Sequence, residues 1–146
     1  YANNMILSEE DRESVGRIRM IIAVTPKTWA NYGIHIIEAA LQNMAPEDRP
    51  ISLISGGLHE DGGASLIVHW RSGVETAFHA TGDTQSELKV SIHGSLGMRE
   101  FTFGAPFDAF KAALADFVAG ILTGEVRSPV EKNRLAISLV EAGLKR

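Results

Sequence analysis

Ala64-Ser-Leu-Ile-Val-His-Trp-Arg-Ser-Gly-Val-Glu-Thr-Ala-Phe-His-Ala-Thr81 holds two alternating runs parted by Ser72-Gly73. In the first run Leu66, Val68 and Trp70 alternate with Ile67, His69 and Arg71. In the second, Thr76, Phe78 and Ala80 alternate with Ala77, His79 and Thr81. A period of two is the mark of a β-strand, because successive side chains point to opposite faces. Two such runs joined by a short Ser-Gly turn form a hairpin, so this part of the sheet is antiparallel. Each face also carries polar residues without being strongly charged. With helices on one face, the other is expected to be open for oligomerisation.

Turn signals extend the reading in both directions. Upstream, Ile51–Ser55 reads as a strand ended by Gly56-Gly57, and Arg17–Val24 as a buried β-branched strand stopped by Thr25-Pro26. Downstream, Glu87–His93 ends at Gly94-Ser95, and Met98–Phe103 ends at Gly104. Between Pro26 and Pro46 the period changes to helical. Trp29, Gly33, Ile36, Ile37, Ala40, Leu41 and Met44 form one stripe; Thr28, Asn31, His35, Glu38 and Gln42 form another. Phe107, Phe110, Leu114, Phe117, Val118, Ile121 and Leu122 predict a second helix, closed by Gly124. Ser128 as N-cap, Pro129 at the first position and Glu131 open a last helix with Val130, Leu135, Leu139 and Ala142 on its apolar face. Tyr1–Val15 reads as the end of a helix with no start signal of its own. The pattern predicts one α+β domain over residues 1–146. Its mainly antiparallel, mixed sheet has five to six strands, with helices packed on one face.

Bulk properties exclude several classes. The chain has 146 residues, 45% apolar and 22% charged, with a net charge of −4. That is enough chain for a real core, and no basic stripe marks it for nucleic acid. No apolar run approaches the ~20 residues of a membrane helix. The absence of cysteine excludes thiol chemistry and fits a reducing, cytoplasmic setting. There is no Gly-x-Gly-x-x-Gly turn, no Walker-type loop and no Gly-x-Ser-x-Gly elbow. Gly56-Gly57 and Gly62-Gly63 flank what reads as a flexible hairpin loop, and Gly94-Ser-Leu-Gly97 has no helix after it, so neither makes a good phosphate cradle. His69, His79 and His93 lie on different strands without a recognised ligand spacing, so no metal site is expected.

The candidate chemistry sits on the first long helix. Helical spacing places Asn31 one turn before His35 and Glu38 one turn after it. An imidazole between an amide and a carboxylate can relay a proton; the same stripe is also what the wet face of any amphipathic helix looks like. Gly33 within this helix costs roughly 1 kcal/mol relative to alanine, a cost accepted where something approaches the backbone closely.

The order of motifs is informative as a set. A strand precedes Tyr-Gly-Ile-His-Ile-Ile-Glu (32–38). A strand run ends in His-Gly-Ser-Leu-Gly (93–97), followed by Phe-x-x-x-Leu-x-x-Phe-x-x-Gly-Ile-x-x-Gly (110–124) and a proline-started helix. Across essentially the whole chain this resembles the C-terminal domain of the glucose–fructose oxidoreductase / inositol dehydrogenase / MocA (Gfo/Idh/MocA) family.

The resemblance implies a substrate-binding and oligomerisation domain of an NAD(P)-dependent oxidoreductase acting on a sugar, cyclitol or similar polyol, active as a homo-oligomer. Residues 1–15 would then end the helix leading from a missing N-terminal Rossmann domain. His35 matches the family's catalytic histidine. Asn31 stands where its Asp-x-x-x-His pattern has aspartate, and Asn31, Trp29 and Tyr32 are the expected substrate contacts. The family's Glu-Lys-Pro lysine and its dinucleotide fingerprint are absent from these residues. The chain alone is therefore expected to be inactive and to hold no cofactor, with NAD or NADP belonging to a full-length parent. A non-catalytic binding or scaffold protein that keeps the fold is the alternative.

Overall fold

The computed structural model describes residues 2–104, 106–125 and 129–145. After a 3-10 turn at Ala2–Met5, the elements run α1 (Glu9–Val15), β1 (Ile18–Thr25), α2 (Trp29–Gln42), β2 (Pro50–Leu58), β3 (Ala64–Trp70) and β4 (Glu75–Ala80). They continue with β5 (Lys89–Gly94), β6 (Met98–Thr102), α3 (Pro106–Thr123) and α4 (Val130–Leu144). One six-stranded sheet has the order β2-β3-β4-β1-β5-β6. All neighbours are antiparallel except β1 and β4, which run parallel. The first strand is thus inserted at the centre, between two antiparallel hairpin groups. The expected α+β fold with a mixed, mainly antiparallel sheet is the observed one.

Alternation sets the two faces. Ile21 and Ala23, Leu66, Val68 and Trp70, Phe78, and Val90 and Ile92 are buried beneath the helices, with Ile36, Ile37, Ala39 and Ala40 of α2 packed onto them. Burying such side chains is worth about 1.5–3 kcal/mol each, which makes this layer the source of the fold's stability. Residues of opposite phase lie on the uncovered face. Ile54, Ile67, Ala77 and Ile22 are in register across four strands and form an apolar row there. His69, His79 and His93 share that face: His69 and His93 fall in one row, with Glu75 and Met20 of the two intervening strands between them, and His79 falls in another.

Several details differ from the sequence reading. The stretch read as the end of a helix, Tyr1–Val15, does not hold one continuous helix over its described residues 2–15. Ser8 starts a separate helix, accepting from the Asp11 backbone N–H at 3.0 Å while the Asp11 carboxylate accepts from the Ser8 N–H at 3.4 Å. This reciprocal cap is itself a start signal. β2 continues through Gly56-Gly57 to Leu58, its register shifting between Ser55 and Gly57. The 59–63 loop is packed rather than loose. A Cβ on Gly62 would lie 2.6 Å from the Thr28 methyl, and one on Gly82 would lie 2.3 Å from the Asp61 carboxylate. Gly94 is required because the Val15 carbonyl of α1 would lie 2.2 Å from a side chain there.

The helices differ too. Pro129 takes the N-cap position of α4, and the expected cap Ser128 lies outside the described residues. Val130 is exposed, while Ala136, Leu139 and Gly143 are buried. The largest departure is α3. Its amphipathic pattern predicts packing on the sheet, yet Phe107, Phe110, Leu114, Phe117, Ile121 and Leu122 are all exposed and, among the described side chains of α3, only Ala109 is buried. Periodicity reports that a helix has an apolar face; it does not report where the covering surface is. Among the described residues no helix is long and apolar enough to cross a membrane.

Candidate functional site

The site is built on α2, and two hydrogen bonds fix where that helix begins. The Trp29 N–H donates to the Gly62 carbonyl at 2.9 Å, and the Gly82 N–H donates to the Lys27 carbonyl at 3.0 Å. Lys27 adopts φ +65°, a left-handed conformation uncommon outside glycine. At the other end, Asn43 is buried. Its Oδ1 accepts from the Leu7 N–H at 2.8 Å, and its Nδ2 donates to the carbonyls of Met5 and Ala39 at 2.7 and 2.9 Å.

Trp29 sets the rotation of α2. Its ring is wholly buried, and its Nε1–H donates to the Val140 carbonyl of α4 at 2.8 Å. Gly33 and Gly143 lie against the ring: added Cβ atoms would fall 3.0 and 2.3 Å from indole carbons. The close approach that the helix-interior glycine signals is therefore made by Trp29 itself. This corrects the expectation that Trp29 contacts substrate, because its ring has no surface left to offer.

With Trp29 inward, the polar stripe faces outward. Asn31 is exposed, and Tyr32, His35, Glu38 and Gln42 are half-buried. The rings of Tyr32 and His35 meet edge to face with centroids 5.8 Å apart. Burial pushes the His35 imidazole below its ordinary 6.5, and the Glu38 carboxylate partly opposes that. The group is thus biased toward the neutral form that can accept a proton. The structure brings Asn31, Tyr32, His35 and Glu38 onto one surface and takes Trp29 away from it.

Two lysines join this surface that sequence reasoning did not single out. Lys27 donates from Nζ to the Tyr32 hydroxyl at 3.0 Å and lies 4.9 Å from its ring centroid. Its pKa is raised by that hydrogen bond and by the phenol's charge. Lys132 reaches from α4 to the Gln42 Oε1 at 2.8 Å. Lys27 had a local signal, standing two residues before the helix. Lys132 had none, because its place depends on how α4 docks on α2.

His69 on the sheet has partners of its own. His69 Nε2 lies 2.9 Å from Glu75 Oε2, and its Nδ1 lies 2.8 Å from the Ser52 hydroxyl. Among the described residues no cluster of histidine and carboxylate groups is arranged to hold a metal ion.

Comparison with solved structures finds the same fold elsewhere. GenD2 from gentamicin A biosynthesis, in complex with NAD, superposes with a TM-score of 0.72 at 12% identity, over 98% of this chain and 56% of that one. A variant of KijD10, a 3-ketoreductase from Actinomadura kijaniata in complex with TDP-benzene and NADP, gives 0.68 at 17% identity over 91% and 53%. A myo-inositol dehydrogenase from Corynebacterium glutamicum gives 0.68 at 16% identity over 92% and 55%. This chain has the fold of the C-terminal part of Gfo/Idh/MocA-type dehydrogenases. It spans little more than half the length of each of these three proteins. No protein-family model and no curated protein matches the sequence.

The lowered His35 pKa has a consequence with a definite sign. Below 6.5 the unfolded chain binds a proton at His35 more readily than the folded one does. Its contribution to stability is therefore full above that pH and is lost as pH falls through the folded value. A ring-proton NMR titration should place the His35 midpoint below 6.5; a midpoint above it would contradict the burial described here.

Proposed function

We propose that this chain is the substrate-binding and oligomerisation domain of an NAD(P)-dependent oxidoreductase acting on a sugar, cyclitol or similar polyol. The observation that carries the reading is the outward stripe of α2, where Asn31 precedes by one turn a His35 held toward its neutral form. A neutral imidazole suits the removal of a proton from a substrate hydroxyl near neutral pH. Asn31 would hydrogen-bond a second hydroxyl or orient His35. It cannot raise the imidazole's pKa as an aspartate would, since it carries no charge. Tyr32, with Lys27 on its hydroxyl, borders the same surface. The neighbours' ligands and activities support this class: NAD in GenD2, NADP and ketoreduction in KijD10, inositol dehydrogenation in the Corynebacterium protein.

The residues present do not fit the dinucleotide. Gly56 and Gly57 lie within a strand, Gly62 packs on Thr28, and Gly94–Gly97 caps a hairpin. None opens directly into a helix N-terminus as a pyrophosphate cradle requires. On this proposal the cofactor sits in a separate nucleotide-binding domain of a cytoplasmic parent, and the chain alone is expected to be inactive. Asn31 in place of aspartate favours the second reading, a non-catalytic binding protein on the same fold.

The uncovered sheet face, with its Ile54, Ile67, Ala77 and Ile22 row, is the proposed surface for two-fold self-association. Sedimentation should show a dimer or larger symmetric oligomer; a monomer at high concentration would remove this part of the proposal.

Calorimetric titration of the chain with NAD or NADP should show no binding, and micromolar affinity would overturn the division of labour. In a polypeptide joining this chain to a nucleotide-binding domain, His35→Ala should lower turnover by about 10²–10⁴ while leaving substrate affinity less changed. The fold should survive, because His35 fills no core volume. Unchanged turnover would leave the stripe as a solvated helix face.

A further inference from the structure

α3 is rotated with its small side chains inward and its large ones outward. Its least exposed positions are Ala109, Asp116, Ala119 and Gly120, and 109, 116 and 120 share one side at helical spacing. On the opposite side Phe107 is 76% exposed, Phe110 63%, Leu114 52%, Phe117 65% and Ile121 65%. An amphipathic helix docked on its own core turns the other way.

The five outward residues are spaced three, four, three and four, which is the a/d pattern of a coiled-coil seam. Val118 and Leu122 border the seam and are exposed too. Monomeric proteins rarely present contiguous apolar patches beyond a few hundred Å². With aromatic side chains burying about 150–250 Å² each, the seam and its borders offer on the order of 800 Å² at these exposures. That equals the share, about 800 Å², that one partner brings to a standard interface.

The seam suits a second copy of this chain. An identical helix repeats the same spacing over the same length, so the knobs of one fill the holes of the other. The seam itself carries no charge, and Lys111 alone stands at its edge. Parallel pairing would set the two Lys111 side chains against each other. Antiparallel pairing places them on either side of the two-fold axis and opposes the helix dipoles. A lipid surface suits the helix less. Helices that lie in a membrane interface are rich in Lys and Arg, whereas α3 has Asp108 and Asp116 against Lys111.

We propose that α3 is a dimerisation helix, its Phe107-to-Ile121 seam packed antiparallel on α3 of a second copy. The two-fold axis passes near Leu114, the middle residue of the five. The contact is separate from the sheet-face pairing and does not depend on the oxidoreductase reading.

Sedimentation equilibrium of the chain and of its Phe110→Glu/Phe117→Glu variant provides the test. Both positions are exposed, so circular dichroism should be unchanged while the assembly mass falls by half. Any assembly left in the variant belongs to the sheet face. An unchanged mass would overturn the proposal and leave α3 to another polypeptide or to a lipid surface. Orientation has its own readout. The chain has no cysteine, so Leu122→Cys carries a single nitroxide at the border of the seam. An axis near Leu114 sets the two labels roughly 25 Å apart along the helices. Pulsed dipolar spectroscopy should show that separation, and the Phe110→Glu/Phe117→Glu changes should remove it. A separation near the interaxial distance of about 8–10 Å would mean parallel pairing, and no separation sensitive to those changes would mean no pairing through α3; either overturns the proposal.

Discussion

The burial of Trp29 against α4 is the contact on which the rest of this structure depends. Its indole N–H donates to the Val140 carbonyl, and its ring excludes side chains at Gly33 and Gly143. One side chain thereby sets the rotation of α2 and the docking of α4. Helical geometry does the rest: with Trp29 pointing inward, residues 31, 35, 38 and 42 point outward. The candidate site and the Lys132–Gln42 contact both follow from this clamp, since each needs α2 and α4 in their present register.

Most of the sheet was legible because alternation and turn residues are local. The six strands fall where the runs and glycine punctuation place them, within a residue or two, except that β2 runs on past its glycines. A glycine pair reads as a stop, but here Gly56-Gly57 accommodates a shift of register in a continuing strand. The parallel β1–β4 pairing carries no local signal. It follows from the chain crossing over α2, and only the packed structure reveals it.

The site was legible in part for the same reason. Helical spacing alone puts Asn31, His35 and Glu38 on one face. It could not say whether Trp29 belonged to that surface or to the core, because an indole at a helix start serves in either. Gly33 was the available clue, and it pointed to Trp29's own ring. Contacts between helices were invisible, as were the fate of α3 and the position of Lys132. The resemblance carried by motif order reaches further than identity does: at 12–17% identity the fold is kept while the site's details are free to change. Asn31 is such a change.

The clamp makes a prediction opposite in sign to helix propensity, which makes Gly143→Ala the most direct measurement. Alanine inside a helix is normally favoured over glycine by about 1 kcal/mol. Here the new Cβ would stand 2.3 Å from the Trp29 ring, so urea denaturation should show a loss of about 1–3 kcal/mol, the usual cost of overpacking. A variant as stable as the parent chain, or more so, would show that Trp29 is not clamped between the two helices and would contradict the account.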